Sequence, residues 1–144
     1  MCQVPELISG DIFNDHRGSL ISYNTFNMQE VKRMYMICPV SNKVIRAWQA
    51  HKMEKKWFFC VSGAFHVKLI KVDDFENPSS SLSSTSYTLQ SSAHQVLCIP
   101  GGFANGFQAL ESGSELIVFS NFSLEESKKD NYRFEQCFWN VWED

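Results

Sequence analysis

Val44-Ile-Arg-Ala-Trp-Gln-Ala-His-Lys-Met-Glu-Lys-Lys-Trp-Phe-Phe-Cys-Val-Ser-Gly63 reads as two β-strands joined by a short charged turn. Strand side chains alternate between faces, so Ala47, Gln49 and His51 are expected on one side and Arg46, Trp48 and Ala50 on the other. Lys52-Met-Glu-Lys-Lys56 is polar and makes the turn. Trp57-Phe-Phe-Cys-Val61 is apolar on both faces, as a strand buried between two layers would be. Ser62-Gly63 closes it with a turn signal. Gln49, His51 and Lys56 thus form a polar cluster inside an otherwise oily hairpin.

Outward from that hairpin the same texture continues. Ser19–Tyr23, Val31–Cys38, Ala64–Val72, Tyr87–Leu89, Gln95–Pro100, Phe103–Leu110 and Glu115–Phe122 all read as short strands. Gly, Pro, Asn and Ser turns separate them, the signature of an antiparallel sandwich or barrel. Pro5 interrupts any ladder in residues 1–10, which read as irregular or edge. Asp11–Gly18 reads as a turn. The Ser-rich segment from Asp73 to Ser86 is expected to be a mobile loop. Ser123-Leu-Glu-Glu126 has capping-box spacing and predicts one short helix ending near Asp130. The aromatic tail from Tyr132 to Trp142 is expected to pack on the body or on another subunit. The fold class is all-β, a single domain over residues 1–144.

Bulk composition excludes several function classes. Among 144 residues 44% are hydrophobic and 14% aromatic, which supports a buried core and argues against disorder. Net charge is −3, and no basic run exceeds a Lys-Lys pair, so nucleic acid is not an expected partner. No apolar run is long enough for a membrane span. The five cysteines are scattered without a C-x-x-C pair, which suggests neither a zinc knuckle nor a dithiol site. With no leader-like N-terminus, a reduced cytoplasm is the expected location.

Four motifs in order make a resemblance visible: Asp15-His-Arg-Gly18, Arg46-Ala-Trp-Gln-Ala-His51, the strand closing at Gly63, and Ile99-Pro-Gly-Gly-Phe-Ala-Asn-Gly-Phe107. From about Asp11 to Asp130 the chain resembles the cupin family of nucleotide-sugar isomerases, the dTDP-4-dehydrorhamnose 3,5-epimerases and dTDP-4-keto-6-deoxyglucose 3,4-ketoisomerases. The resemblance implies a jelly-roll barrel, usually dimeric, with substrate in its mouth. Val31–Ile37 and Gln49-Ala-His-Lys are similar to the ketoisomerase branch, which has His-Ala-His-Lys. Lys56 and Ile99–Phe107 are similar to the epimerase branch, whose last motif ends Ala-His-Gly-Phe. Gln49 stands where both branches carry the catalytic histidine, Asn105 replaces a second histidine, and Phe119 stands at the epimerase tyrosine acid.

The implied reaction begins with proton abstraction beside a 4-ketone, followed by enolate stabilisation and reprotonation. Glutamine cannot take a proton. His51 is therefore the expected base, Lys56 the enolate stabiliser and Tyr35 a phenol for proton return. Arg17 and Arg46 are candidates for a diphosphate clamp. Trp48 could stack on base or sugar, and Gln49 and Asn105 complete the substrate-binding set. Each residue also has a structural reading: a hydrogen-bonded barrel histidine, a solvent-facing turn lysine, an Arg17 that fixes its turn through Asp15, an Arg46–Trp48 surface stack. Metal-dependent cupins need two further histidines where this chain has Gln49 and Asn105, so neither a metal nor a redox cofactor is expected. Two functions follow as expectations: a metal-free epimerase or ketoisomerase of a dTDP-4-keto-6-deoxyhexose in cell-surface sugar synthesis, or a binding or regulatory cupin whose chemistry is lost.

Overall fold

Alternating strands with one apolar face bury it by facing one another. In the computed structural model, which describes residues 3–142, they do so as two five-stranded antiparallel sheets. The first contains β1 (Glu6–Ser9), β4 (Arg33–Ile37), β6 (Lys56–Ser62), β9 (Gln95–Ile99) and β11 (Glu115–Ser120), ordered β1-β9-β6-β11-β4. The second contains β5 (Ile45–His51), β7 (Ala64–Lys71), β8 (Thr85–Gln90), β10 (Phe103–Ala109) and β12 (Tyr132–Arg133), ordered β12-β5-β10-β7-β8. A separate ribbon pairs β2 (Asp11–Asp15) with β3 (Gly18–Ser22). The helix α1 (Leu124–Lys128) starts at the expected capping box, Ser123 with Glu126. This is an all-β jelly roll with one short C-terminal helix.

The core lies between the two sheets. Phe65, Val67 and Leu69, the predicted inner face of β7, are at most 1% exposed, and they meet Phe58, Leu97, Leu116 and Val118. Each such side chain contributes roughly 1.5–3 kcal/mol by leaving water. Phe58 and Phe107 stack edge to face across the interior, centroids 5.6 Å apart. A second apolar layer covers the outside of the β5-bearing sheet, where Trp48 and Trp139 are buried and meet edge-on at 5.6 Å. No helix is long and apolar enough to cross a membrane among the described residues.

Two elements differ from expectation, and one settles between two readings. Asp11–Asp15 is a strand and not a turn, because the turn itself is only His16-Arg17, with Gly18 at φ +128°. Residues 6–9 pair with β9 beyond Pro5 as an edge strand, the edge placement expected of this segment. The Ser-rich segment is folded down: Phe75 packs on Tyr132 and the Ser79 carbonyl accepts the Trp139 indole N–H at 2.8 Å.

Candidate active site

A cavity of about 700 Å³ opens between the sheets where β4 approaches β5. Its base is apolar, formed by Phe58 and Phe107. Its walls carry five cationic side chains, Arg33, Arg46, Lys56, Lys128 and Arg133, and no carboxylate lines it. In a chain of net charge −3 that is a local inversion of sign, suited to a multiply charged anion.

One irregularity places Arg46 there. On β10, Asn105 pairs with Gln49 and Phe107 with Arg46, so two residues on β5, Ala47 and Trp48, oppose the single Gly106. That is a β-bulge. Alternation therefore breaks, and the expected face assignment is corrected: Arg46 joins Gln49 on the cavity side while Ala47 turns with Trp48 to the outer aromatic layer. Gly106 is required opposite the bulge, since a Cβ there would lie 2.8 Å from that of Ala47 and 2.9 Å from the Trp142 ring.

Lys56 is 3% exposed at the start of β6 and faces inward. Its ammonium donates to the Tyr35 phenol oxygen at 3.0 Å and to Gln49 Oε1 at 3.1 Å. Gln49 in turn donates from Nε2 to Asn131 Oδ1 at 3.0 Å, so its amide orientation is fixed at both ends. An ammonium has three donors, which leaves Lys56 one for a ligand. Tyr35 accepts from Lys56, so its own O–H is left to donate elsewhere.

His51 sits on the same inner side but does not line the cavity. Its Nδ1 is 2.6 Å from the Asp130 carbonyl oxygen and 3.3 Å from Glu54 Oε1. Both neighbours accept, so Nδ1 carries the hydrogen and Nε2 holds the lone pair. Nε2 is buried without a hydrogen-bond partner. Burial, and then the nearby Lys56 charge, push the imidazole below the usual histidine range. Asp130 also anchors the hairpin turn: its carboxylate accepts the backbone N–H groups of Lys52, Met53 and Glu54, each at 2.8 Å.

Of the residues singled out in the sequence, Lys56, Tyr35, Gln49, Asn105 and Arg46 converge on the cavity. Arg17 does not. It lies at the exposed tip of the β2–β3 ribbon and forks onto Asp15, the turn-fixing arrangement that the Asp-x-Arg spacing allows. Trp48 borders the cavity, but its ring is 2% exposed and its indole N–H goes to the Gln136 carbonyl, so the stacking role is corrected: the outer layer already occupies that ring. Phe119 packs with Phe26 and Trp57 on the far side of its sheet. The structure adds Arg33, Arg133 and Asn131 to the cavity wall, and Glu54 and Asp130 beside His51. Arg33 lies within the ketoisomerase-like stretch Val31–Ile37, Arg133 stands in no motif, and the one signal at Asp130 is its place just after the capping-box helix. Among the described residues no group of three or more His, Cys, Asp or Glu side chains could hold a metal ion.

No curated protein matches the sequence significantly. Among solved structures, a 3,4-ketoisomerase from Thermoanaerobacterium thermosaccharolyticum, determined with TDP-4-keto-6-deoxyglucose, superposes with TM-score 0.70 at 20% identity over 96% of this chain and 94% of its own. A dTDP-4-dehydrorhamnose 3,5-epimerase from Bacillus anthracis, with TDP and PPi bound, gives 0.73 at 16% identity over 92% and 79%. The epimerase from Sulfolobus tokodaii gives 0.73 at 23% over 96% and 81%. At such identities the likeness establishes the cupin-like fold. The family model described as FdtA, WxcM-like, C-terminal, matches residues 3–140, and the chain belongs to that family.

Proposed function

We propose that this protein is an isomerase of a nucleoside-diphosphate 4-keto-6-deoxyhexose, of the dTDP type, working by proton transfer beside the ketone. The observation that carries the reading is the cavity with five cations, no carboxylate and a buried ammonium–phenol pair in its wall. Arg46 and Arg133, neither with an ion-pair partner among the described residues, form the diphosphate clamp. Within one chain Arg17 stands outside it; a clamp role for Arg17 would need the ribbon of a second copy. The 4-ketone oxygen takes the remaining Lys56 donor as negative charge develops on it. Of the four histidines only His51 is on the inner side, and its Nε2 lone pair is the base; Tyr35 returns the proton. A homodimer fits the exposed apolar ribbon, where Ile12, Phe13 and Leu20 are 52%, 59% and 62% exposed, since a lone two-stranded ribbon is marginal in water. Monomeric sedimentation would remove that part. Cys60, buried and without a disulfide, suits a reducing cytoplasm.

One observation favours a second reading, a sugar-nucleotide-binding protein without turnover: glutamine holds the family's base position, and His51 stands behind the cavity wall. Incubation with dTDP-4-keto-6-deoxyglucose in D₂O, followed by NMR, separates the two. Deuterium at C3 or C5 in wild type but not in His51→Ala supports the isomerase. TDP binding by calorimetry without exchange supports the binding protein. Neither exchange nor binding overturns both.

A further inference from the structure

The hairpin turn carries a carboxylate that the reaction above does not use. Glu54 is 2% exposed overall, and its side chain is fully enclosed. Burying a carboxylate costs several kcal/mol unless its lone pairs are met. Here they are met from three separate elements, with a fourth close by. Ser120 of β11 donates to Oε2 at 2.6 Å, and Ser127 of α1 donates to Oε1 at 2.6 Å. Arg33 of β4 donates to Oε2 at 3.3 Å, and His51 of β5 lies with Nδ1 3.3 Å from Oε1. Ser120, Ser127 and Arg33 each give a hydrogen, and the His51 ring lies beside the carboxylate with its own Nδ1 hydrogen directed to the Asp130 carbonyl. Such an arrangement is costly as mere packing, and it is aimed at the side of the imidazole opposite its free nitrogen.

We propose that Glu54 is a positioning residue that fixes which nitrogen of His51 is basic and balances the charge His51 acquires on taking a proton. This rests on the reading of His51 as the base. The charged and titratable groups facing the imidazole are few. Lys56, from β6, opposes protonation; Glu54, and Asp130 from the segment after α1, favour it. Arg33 faces Glu54 from β4, and Tyr35 faces Lys56. Without Glu54 the imidazolium would be left beside Lys56 with the Asp130 carboxylate already engaged by three backbone N–H groups. The Asp130 carbonyl accepts the Nδ1 hydrogen at 2.6 Å, and Glu54 Oε1, 3.3 Å away, sets a negative charge on that same side of the ring, as the buried acid does in a serine-hydrolase triad.

Nitrogen-15 imidazole NMR of the ligand-free protein tests this without any substrate. Wild-type His51 is expected as the Nδ1–H tautomer. Glu54→Gln keeps the side-chain volume and should lower the affinity of His51 for a proton about tenfold, a loss of about one pKa unit. Ser120→Ala, which leaves the carboxylate in place, should shift it far less. The acid limb of deuterium exchange should move to lower pH in Glu54→Gln alone. Identical His51 titrations in wild type and Glu54→Gln would overturn the proposal. If Glu54→Gln does not fold, an Nε2–H tautomer in wild type overturns it equally. A shifted titration in a protein with no exchange activity would sink the isomerase reading and leave the Glu54–His51 coupling standing.

Discussion

Asp130→Asn perturbs the hinge on which the polar cluster hangs. The carboxylate is 7% exposed and takes three backbone N–H groups at 2.8 Å, Lys52 on Oδ1 with Met53 and Glu54 on Oδ2. An amide offers one oxygen. Placed where Oδ2 now stands, it keeps two acceptances in weakened, uncharged form and turns its NH₂ toward the Lys52 N–H, donor against donor. A hydrogen bond to a charged group is worth about 1.5–3 kcal/mol and a buried unmet donor costs about 1–3 kcal/mol, so a loss of about 3 kcal/mol is expected. For 144 residues the unfolding entropy is about 0.3 kcal/mol/K, which converts that loss to a fall in Tm of about 10 °C. Thermal and urea unfolding by circular dichroism measure it, with unchanged urea slope showing that only stability moved. A loss below about 1 kcal/mol, near 3 °C, would refute the claim that this carboxylate holds the turn carrying Glu54 and Lys56.

Arg46→Ala should weaken TDP binding roughly tenfold or more by calorimetry, with a reduced dependence on salt, because a charge-assisted contact is worth about 1.5–3 kcal/mol. Lys56→Met should leave the fold intact and cut deuterium exchange by about 10²–10³, the usual cost of one oxyanion donor. Stability should rise with pH through the weakly acidic range. The folded His51 pKa is depressed, so its contribution is present above the unfolded value near ~6.5 and is lost as pH falls through the folded one; His51→Gln should flatten that slope in urea titrations. Glu126, held at about 2 by the Ser123 backbone N–H, then by Lys32 and the Ser123 hydroxyl, contributes above its ordinary 4.5 and is lost only toward pH 2.

The architecture was legible because alternation is a property of each strand alone: Phe65, Val67 and Leu69 announce their face without reference to any neighbour. The capping box likewise needs only four consecutive residues. What stayed hidden depends on pairs of strands. Nothing local in Arg46-Ala-Trp-Gln49 records that Gly106 lies opposite two residues at once, so strict alternation puts Arg46 on the face away from Gln49, while the structure puts both on the cavity side. Lys56 was visible as a candidate, yet its partners Tyr35 and Gln49 come from different sheets. Glu54 and Asp130 are 76 residues apart and meet only because the Glu54 backbone N–H donates to the Asp130 carboxylate.

Because Ala47 and Trp48 together stand against Gly106, the chemistry of the cavity wall depends on chain length as well as residue identity. One residue more on β10 beside Gly106 would restore a flush ladder, and alternation from Gln49 through Trp48 and Ala47 would then carry the Arg46 guanidinium out among the tryptophans, disarming the cleft while preserving every charged residue in the sequence. Relatives that differ by one residue at this place would carry the same letters and present a different wall.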